Sequence, residues 1–373
     1  MEAVARSWLI WELTGSATLL AVVNLLRALP MLGVGVFAGV AADRFDKRKL
    51  LIICKSCTLA NKLVLATLIV TGAIEVWHVL LSAFLMGASM SFEQPARTAL
   101  IPSLVKEDEL TSAVALNSAA MNVTRIIGPA GAGLLLAPLG IGGVYFVSAG
   151  IYVATLVATI IMRVPPVAAR KGRVSMWTDL GEAFGYIYRQ KTVFTLILLA
   201  LIPMVVAWPY MTLMPVFADV VLGAGESGLG FLYSAAGVGA LSAVITIATL
   251  GDVRRRGLVV VGAIFCFGGF LTAFSQSASL HLSLVVMAGI GFVSTGSMVI
   301  ISSTLLTITP PELHGRVMGV YRLDRGLMPL GSMGAGAAAD AVGAPTTVLV
   351  MGSTCMVLAA AALLSAPVLR RMA

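Results

Sequence analysis

Apolar runs long enough to cross a membrane alternate with short polar connections along this chain. A span needs about 20 mainly apolar residues. On that scale the pattern predicts eleven helices, at 17–41, 49–72, 76–99, 111–138, 141–162, 193–218, 228–250, 257–275, 280–306, 315–340 and 345–368. Met1 to Trp11 include Trp8, Leu9 and Ile10, which is typical of the end of one more helix. The pattern therefore predicts an all-α protein that crosses a lipid bilayer many times.

The composition excludes a water-soluble fold. Hydrophobic residues make up 59% of the chain and charged residues 11%, with a mean hydropathy of +0.99, whereas soluble domains carry about 25% charged residues. The net charge of +8 comes from basic residues at helix ends, without a basic patch interleaved with aromatic residues. We therefore expect no nucleic-acid partner.

The sequence has no pattern typical of an enzyme, a metal site or a cofactor site. His78, His281 and His314 are scattered near helix ends, without the spacing of metal ligands. Cys54 and Cys57 lie in an apolar run and fit small residues at a helix interface. No phosphate-binding Gly-x-x-x-x-Gly-Lys-Ser/Thr loop occurs, so we expect no direct drive by ATP and no bound cofactor.

Basic residues fall on alternate connections, which predicts the topology. One set of connections carries Lys and Arg, whereas the other set, around 71–75, 138–141, 222–226, 276–281 and 343–345, carries none. The positive-inside rule then predicts a multi-pass protein of the cell inner (plasma) membrane with a cytoplasmic C-terminus. An odd number of spans with an external start favours a chain that lacks most of its first helix.

Two short patterns recur in the two halves of the chain. Residues 125–131 and 325–331 share Arg, Pro and Gly at the same spacing, and residues 39–48 and 248–256 share a small residue, an acid four positions later and a basic cluster. Such duplication is typical of transporters built from two similar bundles. We predict an N-terminal bundle at 1–165, a linker with an amphipathic helix at 166–191, and a C-terminal bundle at 192–373.

The stretch Gly39-x-x-x-Asp43-Arg44-Phe-Asp46-Lys47-Arg48 resembles the loop between helices 2 and 3 of the major facilitator superfamily, which usually has Gly where Asp46 stands. Residues 92–105 and 117–133 narrow the resemblance to the branch of macrolide-efflux and enterobactin-exporter-like transporters. The resemblance implies the major facilitator fold, with two pseudo-symmetric helical bundles and twelve helices. About eleven of these spans are present here.

The same resemblance implies a secondary active transporter that exports small amphiphilic, drug-like or macrolide-like compounds in exchange for protons, by alternating access. The expected partners are a small-molecule substrate, protons and the lipid bilayer, and the expected state is monomeric. An exporter or importer of siderophores or metabolites with the same fold is the first alternative. A transport-inactive truncated membrane protein is the second, because helix 1 contributes to the cavity of this fold.

A cytoplasmic gate and a helix-5 motif also follow from the resemblance. The gate motif comprises Gly39, Asp43, Arg44, Lys47, Arg48 and Arg97, and its counterpart in the second half comprises Asp252, Arg254 and Arg255. Asp43 is implied to pair with Arg97 and with the helix that starts near Gly315; the alternative is a solvated acid. The chain also resembles the antiporter motif of helix 5, at Gly128, Pro129, Gly131 and Gly133. Thr124 stands where that motif is expected to have glycine.

Ionisable residues inside predicted spans are costly and often functional. The candidates for translocation or proton coupling are Arg27, Glu93, Arg125, Arg322, Asp324 and Arg325. Asp324 is interpreted as the only carboxylate deep in a helix, which makes it the leading candidate for a proton carrier; an ion pair with its two Arg neighbours is the alternative. Lys62 also lies within a span.

Aromatic residues and Met are concentrated at the start of the second half of the chain, including Trp208, Tyr210, Met214, Phe217 and Tyr233. Flexible Met beside aromatic side chains suits an adaptable apolar cavity. Packing within the bundle or contact with lipid explains the same residues equally well.

Overall fold

The structure is a computed structural model, and it describes residues 1–33, 46–101, 104–106, 109–162, 184–250, 255–310, 313–321 and 324–365. Within these ranges the chain forms helices and no strand, so the predicted all-α class is confirmed. Contacts divide the chain into two compact units, Met1–Lys171 and Gly172–Ala373.

The described part of the N-terminal unit contains α1 (Glu2–Thr14), α2 (Ala17–Gly33), α3 (Lys47–Val70), α4 (Val76–Leu100) and α5 (Leu110–Ile161). Gly15 ends α1 with a φ of 60°, a left-handed conformation that suits glycine. Asp46 caps α3, because its carboxylate accepts hydrogen bonds from the backbone amides of Arg48 and Lys49 at 2.9 and 3.2 Å.

Gly140 divides α5 into two arms. A straight helix of 52 residues would extend about 78 Å, far more than the ~30 Å hydrocarbon core of a bilayer. Gly140 has φ 63° and ψ −178°, which breaks the helical path. Glycine adopts this backbone conformation readily because it has no Cβ. The break lies in the connection that hydropathy predicts at 138–141. We call residues 110–139 the first arm and residues 141–161 the second arm.

The described part of the C-terminal unit contains α6 (Lys191–Ile202), α7 (Gly225–Leu250), α8 (Arg256–Ser275), α9 (Leu280–Ile308), α10 (His314–Tyr321), α11 (Asp324–Val342) and α12 (Ala344–Ser365). Beyond α6 the chain continues through π-helical Pro203–Ala207, 3₁₀-helical Trp208–Leu213, a short α-turn Met214–Val216 and π-helical Phe217–Val221. Pro203, Pro209 and Pro215 each lack a backbone N–H, so a regular hydrogen-bond ladder cannot run through this stretch.

Eight helices within the described ranges are long and apolar enough to cross a membrane, and Ala17–Met31 and Ile127–Leu136 are shorter apolar helices. The count of eleven spans stays a prediction. Large apolar side chains such as Ile161, Leu250 and Val285 are exposed, which in water would be unfavourable and in lipid is not. The protein is therefore a multi-pass membrane protein, as the pattern predicts.

The main helix pairs correspond in the two units. In the N-terminal unit α2 packs on α4, and α3 packs on α4 and α5; in the C-terminal unit α7 packs on α9, and α8 packs on α9 and α12. Glycine permits the closest crossings. A Cβ at Gly87 of α4 would overlap the backbone carbonyl of Arg27 in α2, and a Cβ at Gly239 of α7 would overlap that of Ala288 in α9.

Only the end of the predicted amphipathic linker is described. Residues 184–189 are helical, with Ile187 buried and Phe184 and Tyr188 exposed. The preceding residues, 163–183, lie outside the described ranges, so the amphipathic helix stays a prediction for them.

Candidate functional site

A buried ion pair on α1 starts the group of charged side chains inside the N-terminal unit. Glu2 and Arg6 are one turn apart, are 7% and 2% exposed, and place Glu2 Oε1 at 3.6 Å from Arg6 Nη1. The two side chains point into the bundle because α1 packs against α2, α4 and α5. Hydropathy does not reveal this burial, since Glu2 precedes the predicted spans.

Lys62 of α3 is a second basic partner of Glu2, from another helix. Its ammonium group contacts Glu2 Oε2 and donates a hydrogen bond of 2.9 Å to the Ser148 hydroxyl on the second arm of α5. It also lies 5.0 Å from the centre of the Tyr152 ring, within the range of a cation–π contact. The Lys62 ammonium group thus links three helices of the unit, α1, α3 and α5.

Arg27 of α2 is the third cation of the group. Its Nη2 donates to the Met90 sulfur at 3.0 Å, as Arg6 Nη1 does to the Met86 sulfur at 3.7 Å. A thioether is a weak acceptor and brings no negative charge. The Arg27 side chain also lies in the field of Glu2 and of Arg6. We call Glu2, Arg6, Arg27 and Lys62 the charged cluster.

Glu93 belongs to a second ion pair in the same unit. Its carboxylate lies 3.8 Å from Lys55 Nζ and accepts a hydrogen bond of 3.5 Å from the Tyr152 hydroxyl. The Tyr152 ring is therefore shared, since its face meets Lys62 and its hydroxyl meets Glu93. This places the predicted candidate Glu93 next to the charged cluster.

The interpretation of Asp324 as the only carboxylate deep in a helix stays a prediction, but two other carboxylates lie inside the N-terminal unit. Glu2 is a buried carboxylate inside the bundle, and Glu93 is half-buried and paired across helices. Asp324 begins α11, but its side chain, like those of Arg125 and Arg325, lies outside what the structure describes. Sequence reasoning missed Glu2 because burial depended on where α1 packs, although its spacing to Arg6 on one helix face was a usable signal.

Part of the predicted gate motif can be placed. Arg48 donates from Nε to the Thr159 carbonyl at 3.3 Å and from Nη2 to the Ile160 carbonyl, where the last carbonyls of α5 carry partial negative charge. Arg97 is half-buried and donates to Gln94 at 3.2 Å. Lys47 is the first residue of α3.

Several gate residues lie outside the described ranges, namely Gly39, Asp43, Arg44, Asp252, Arg254 and the coupling candidate Arg322. Near the described part, Leu51, Ala96 and Leu100 form a small buried cluster that joins the start of α3 to the end of α4. Arg255 has a φ of 58° and caps the start of α8. The pairing of Asp43 with Arg97 stays a prediction.

The last glycine of the repeated Arg-x-x-x-Pro-x-Gly pattern lies close to another segment in both halves. A Cβ at Gly131 on the first arm of α5 would come within 2.8 Å of the Met1 side chain, and a Cβ at Gly331 of α11 would overlap the Val205 carbonyl beside α6. In the helix-5 motif, Gly128 and Pro129 are half-buried and Gly133 is buried. Gly331 therefore permits a close contact with backbone, whereas the end of the flexible Met1 side chain could move away from a Cβ at Gly131.

Most of the aromatic residues and Met at the start of the second half pack inside their unit. Tyr210, Met214 and Phe217 are almost fully buried. The Tyr210 ring meets Phe267 edge-on at 6.2 Å, and the Phe217 ring lies 4.6 Å from that of Phe274. For these residues the packing interpretation is the one that the geometry favours.

A groove of about 480 Å³ opens between α3 and α4. The Asn61 amide donates to the Ser82 hydroxyl at 2.9 Å across it, and the exposed side chains of Val64, Leu81 and Leu85 lie on its rim. These rim residues are apolar and exposed, as expected of a surface that faces lipid. The predicted charged candidates do not line this groove.

Comparison with known proteins agrees with this architecture. The family model described as transmembrane secretion effector matches residues 1–373. The staphyloferrin A transporter of Staphylococcus aureus is 24% identical over 359 residues, covering 94% of this chain and 88% of its own. Macrolide efflux protein A of Streptococcus pyogenes is 24% identical over 347 residues, covering 92% and 86%.

The fold also resembles a solved structure. A bacterial homolog of the human lysosomal transporter Spinster, in an inward-facing and unoccupied conformation, superposes with a TM-score of 0.72 at 15% identity. The similarity covers 99% of this chain and 95% of that one. At this identity the likeness concerns the fold alone.

Proposed function

Because the chain belongs to the transmembrane secretion effector family of the major facilitator superfamily, we propose that it exports small amphiphilic compounds in exchange for protons, by alternating access. The family is one of transporters and not of enzymes. The similarity to macrolide efflux protein A supports drug-like substrates. The similarity to the staphyloferrin A transporter supports the alternative, a siderophore as substrate on the same fold.

The observation that carries this proposal is the buried charge inside the N-terminal unit. A charged side chain at the centre of a span costs about 2.5–3.5 kcal/mol on insertion scales. A bundle that served only as an anchor would gain stability from apolar residues at these positions. Glu2 adds a carboxylate to the candidate proton carriers Glu93 and Asp324, and Glu2 and Glu93 are each paired with a Lys.

Transport itself can be measured in inside-out membrane vesicles that contain the chain. With an acidic vesicle interior, we expect dyes or macrolides from a panel to accumulate, and a protonophore to abolish the accumulation. Vesicles without the protein are the control. If no compound accumulates under any gradient, the exporter proposal fails and a transport-inactive membrane protein is the better description.

We propose that the protein lies in the plasma membrane as a monomer. In the proposed topology the gate motif and the C-terminus face the cytoplasm. The alternation of basic and uncharged connections supports this orientation. Arg48 at the end of α5 and the Leu51 cluster indicate that the described part of the gate region is tightly packed.

Asp43→Asn is expected to reduce transport at least severalfold while expression and membrane insertion stay near normal, because the proposed pairing with Arg97 needs a carboxylate. Asp46→Asn is the matched control. It removes the same charge three residues away, and Asn caps a helix about as well as Asp, so α3 should keep its cap. Equal transport rates in the two variants would argue against the gate.

A further inference from the structure

The charged cluster carries more positive than negative charge. Arg6, Arg27 and Lys62 are three cations, and Glu2 is the one carboxylate among them. Glu2 already contacts Lys62 and Arg6, so its negative charge is shared between two partners. Within the described ranges, the ion pairs include no carboxylate for Arg27. An excess of positive charge inside an apolar bundle is unfavourable unless an anion compensates it.

Two hydrogen-bond donors in this region lack an acceptor. Arg27 Nε is buried and has no hydrogen-bond partner among the described residues, and the same is true of the Tyr145 hydroxyl. Both side chains lie in the electrostatic field of Glu2 and Arg6. An Arg side chain can only donate. The missing group is therefore an acceptor, and the charge balance calls for a negatively charged one.

Arg27 is held in place and remains partly accessible. The backbone carbonyl of Arg27 lies where α2 crosses α4 at Gly87, so closely that no Cβ would fit. The side chain is half-buried, so part of it reaches the surface of the unit. A guanidinium on such a fixed backbone, with its Nε donor left without a partner among the described residues, suits a carboxylate or another planar acidic group.

We infer that the charged cluster binds the acidic group of an organic anion, with Arg27 as the contacting residue, and that the transported compounds include such anions. This inference rests on the proposed export function. The site should also prefer anions to cations, because a lipophilic cation at this position would meet three positive charges and one carboxylate that is already shared. The acidic group reduces the positive excess and accepts from the Arg27 Nε donor that has no partner among the described residues.

Binding to the purified full chain in detergent tests this inference. The probes are carboxyfluorescein, an organic anion, and ethidium, a cation, both followed by fluorescence anisotropy. Carboxyfluorescein should bind, and Arg27→Gln should weaken its binding by about 10-fold to 100-fold, the range for losing a hydrogen bond to a charged group. Ethidium should bind more weakly than carboxyfluorescein to the unaltered chain.

Two further variants separate charge from folding. Arg27→Lys keeps the positive charge and should retain binding within about tenfold, whereas Lys106→Gln removes a charge from an exposed connecting residue and should leave binding unchanged. The inference is overturned if carboxyfluorescein does not bind, if Arg27→Gln binds it as well as the unaltered chain does, or if ethidium binds as tightly.

Vesicle transport of the same two dyes distinguishes this inference from the proposed export function. Accumulation of ethidium without binding of carboxyfluorescein would overturn the anion site and leave export standing. Arg27-dependent binding of carboxyfluorescein without accumulation of either dye would support the anion site and count against export.

Discussion

Gly239→Val is expected to lower the melting temperature of the protein by about 6–12 °C, because α7 and α9 can no longer approach each other. A Cβ at Gly239 of α7 would overlap the Ala288 carbonyl of α9. On the other side of the same crossing, a Cβ at Gly291 of α9 would overlap the Ala236 carbonyl of α7. The obstacle is backbone, which cannot rotate away as a side chain could. Overpacking costs about 1–3 kcal/mol or more of unfolding free energy. A loss at the upper end of that range, in a unit of about 200 residues, corresponds to the expected drop in melting temperature.

Gly262→Val in α8 is the matched control. Gly262 is exposed in the middle of a helix, and a Cβ there would meet nothing within 4 Å. The change in helix propensity is the same at both positions, so only the helix crossing differs. Melting curves in detergent, followed by size-exclusion chromatography, give the comparison. Equal melting temperatures for the two variants would contradict the close crossing.

Lys62→Ala should also be strongly destabilising, by about 3 kcal/mol or more. The substitution leaves the Glu2 carboxylate buried without its Lys partner and removes the hydrogen bond to Ser148. Arg6 at 3.6 Å still offers partial compensation, which is why we expect the lower end of the usual range. A melting curve of the purified variant in detergent measures the loss.

Two comparisons test the cause of that loss. Glu2→Gln added to Lys62→Ala should restore part of the lost stability, because the stranded carboxylate is gone, whereas Arg6 then loses its ion pair and limits the gain. Lys55→Ala on the same helix should cost less than half as much, since Lys55 and Glu93 are more exposed, at 13% each, and 3.8 Å apart. A double variant no more stable than Lys62→Ala would show that Glu2 is not the stranded charge.

Helix positions were largely predictable from hydropathy. The predicted runs 76–99, 257–275 and 280–306 agree within two residues with α4 (Val76–Leu100), α8 (Arg256–Ser275) and α9 (Leu280–Ile308). The bilayer sets a minimum apolar length, and a span cannot leave backbone groups unpaired in lipid, so local composition is sufficient. The irregular stretch after α6 was not predicted as such, although its three prolines were a signal.

The candidate site was predictable only in part. Arg27 and Glu93 were identified as costly charges within spans, and both lie near other charges in the N-terminal unit. The ion pairs of the N-terminal unit were not predicted, because partners such as Glu2 and Lys62 are 60 positions apart and on different helices. No rule of local spacing connects such residues, and charge alone does not say which cation meets which carboxylate.

Hydropathy, charge and short motifs were sufficient to identify a multi-pass helical membrane protein of the major facilitator type. Those features depend on local quantities, namely apolar length, the spacing of short motifs and the side on which basic residues fall. The pairing of charges inside the N-terminal unit, and the glycines that bring helices into contact, depend on the folded arrangement of the helices. A buried charge is stabilised by partners that packing brings to it from distant parts of the chain, so the Arg27 Nε donor without a partner could be identified only in the folded structure.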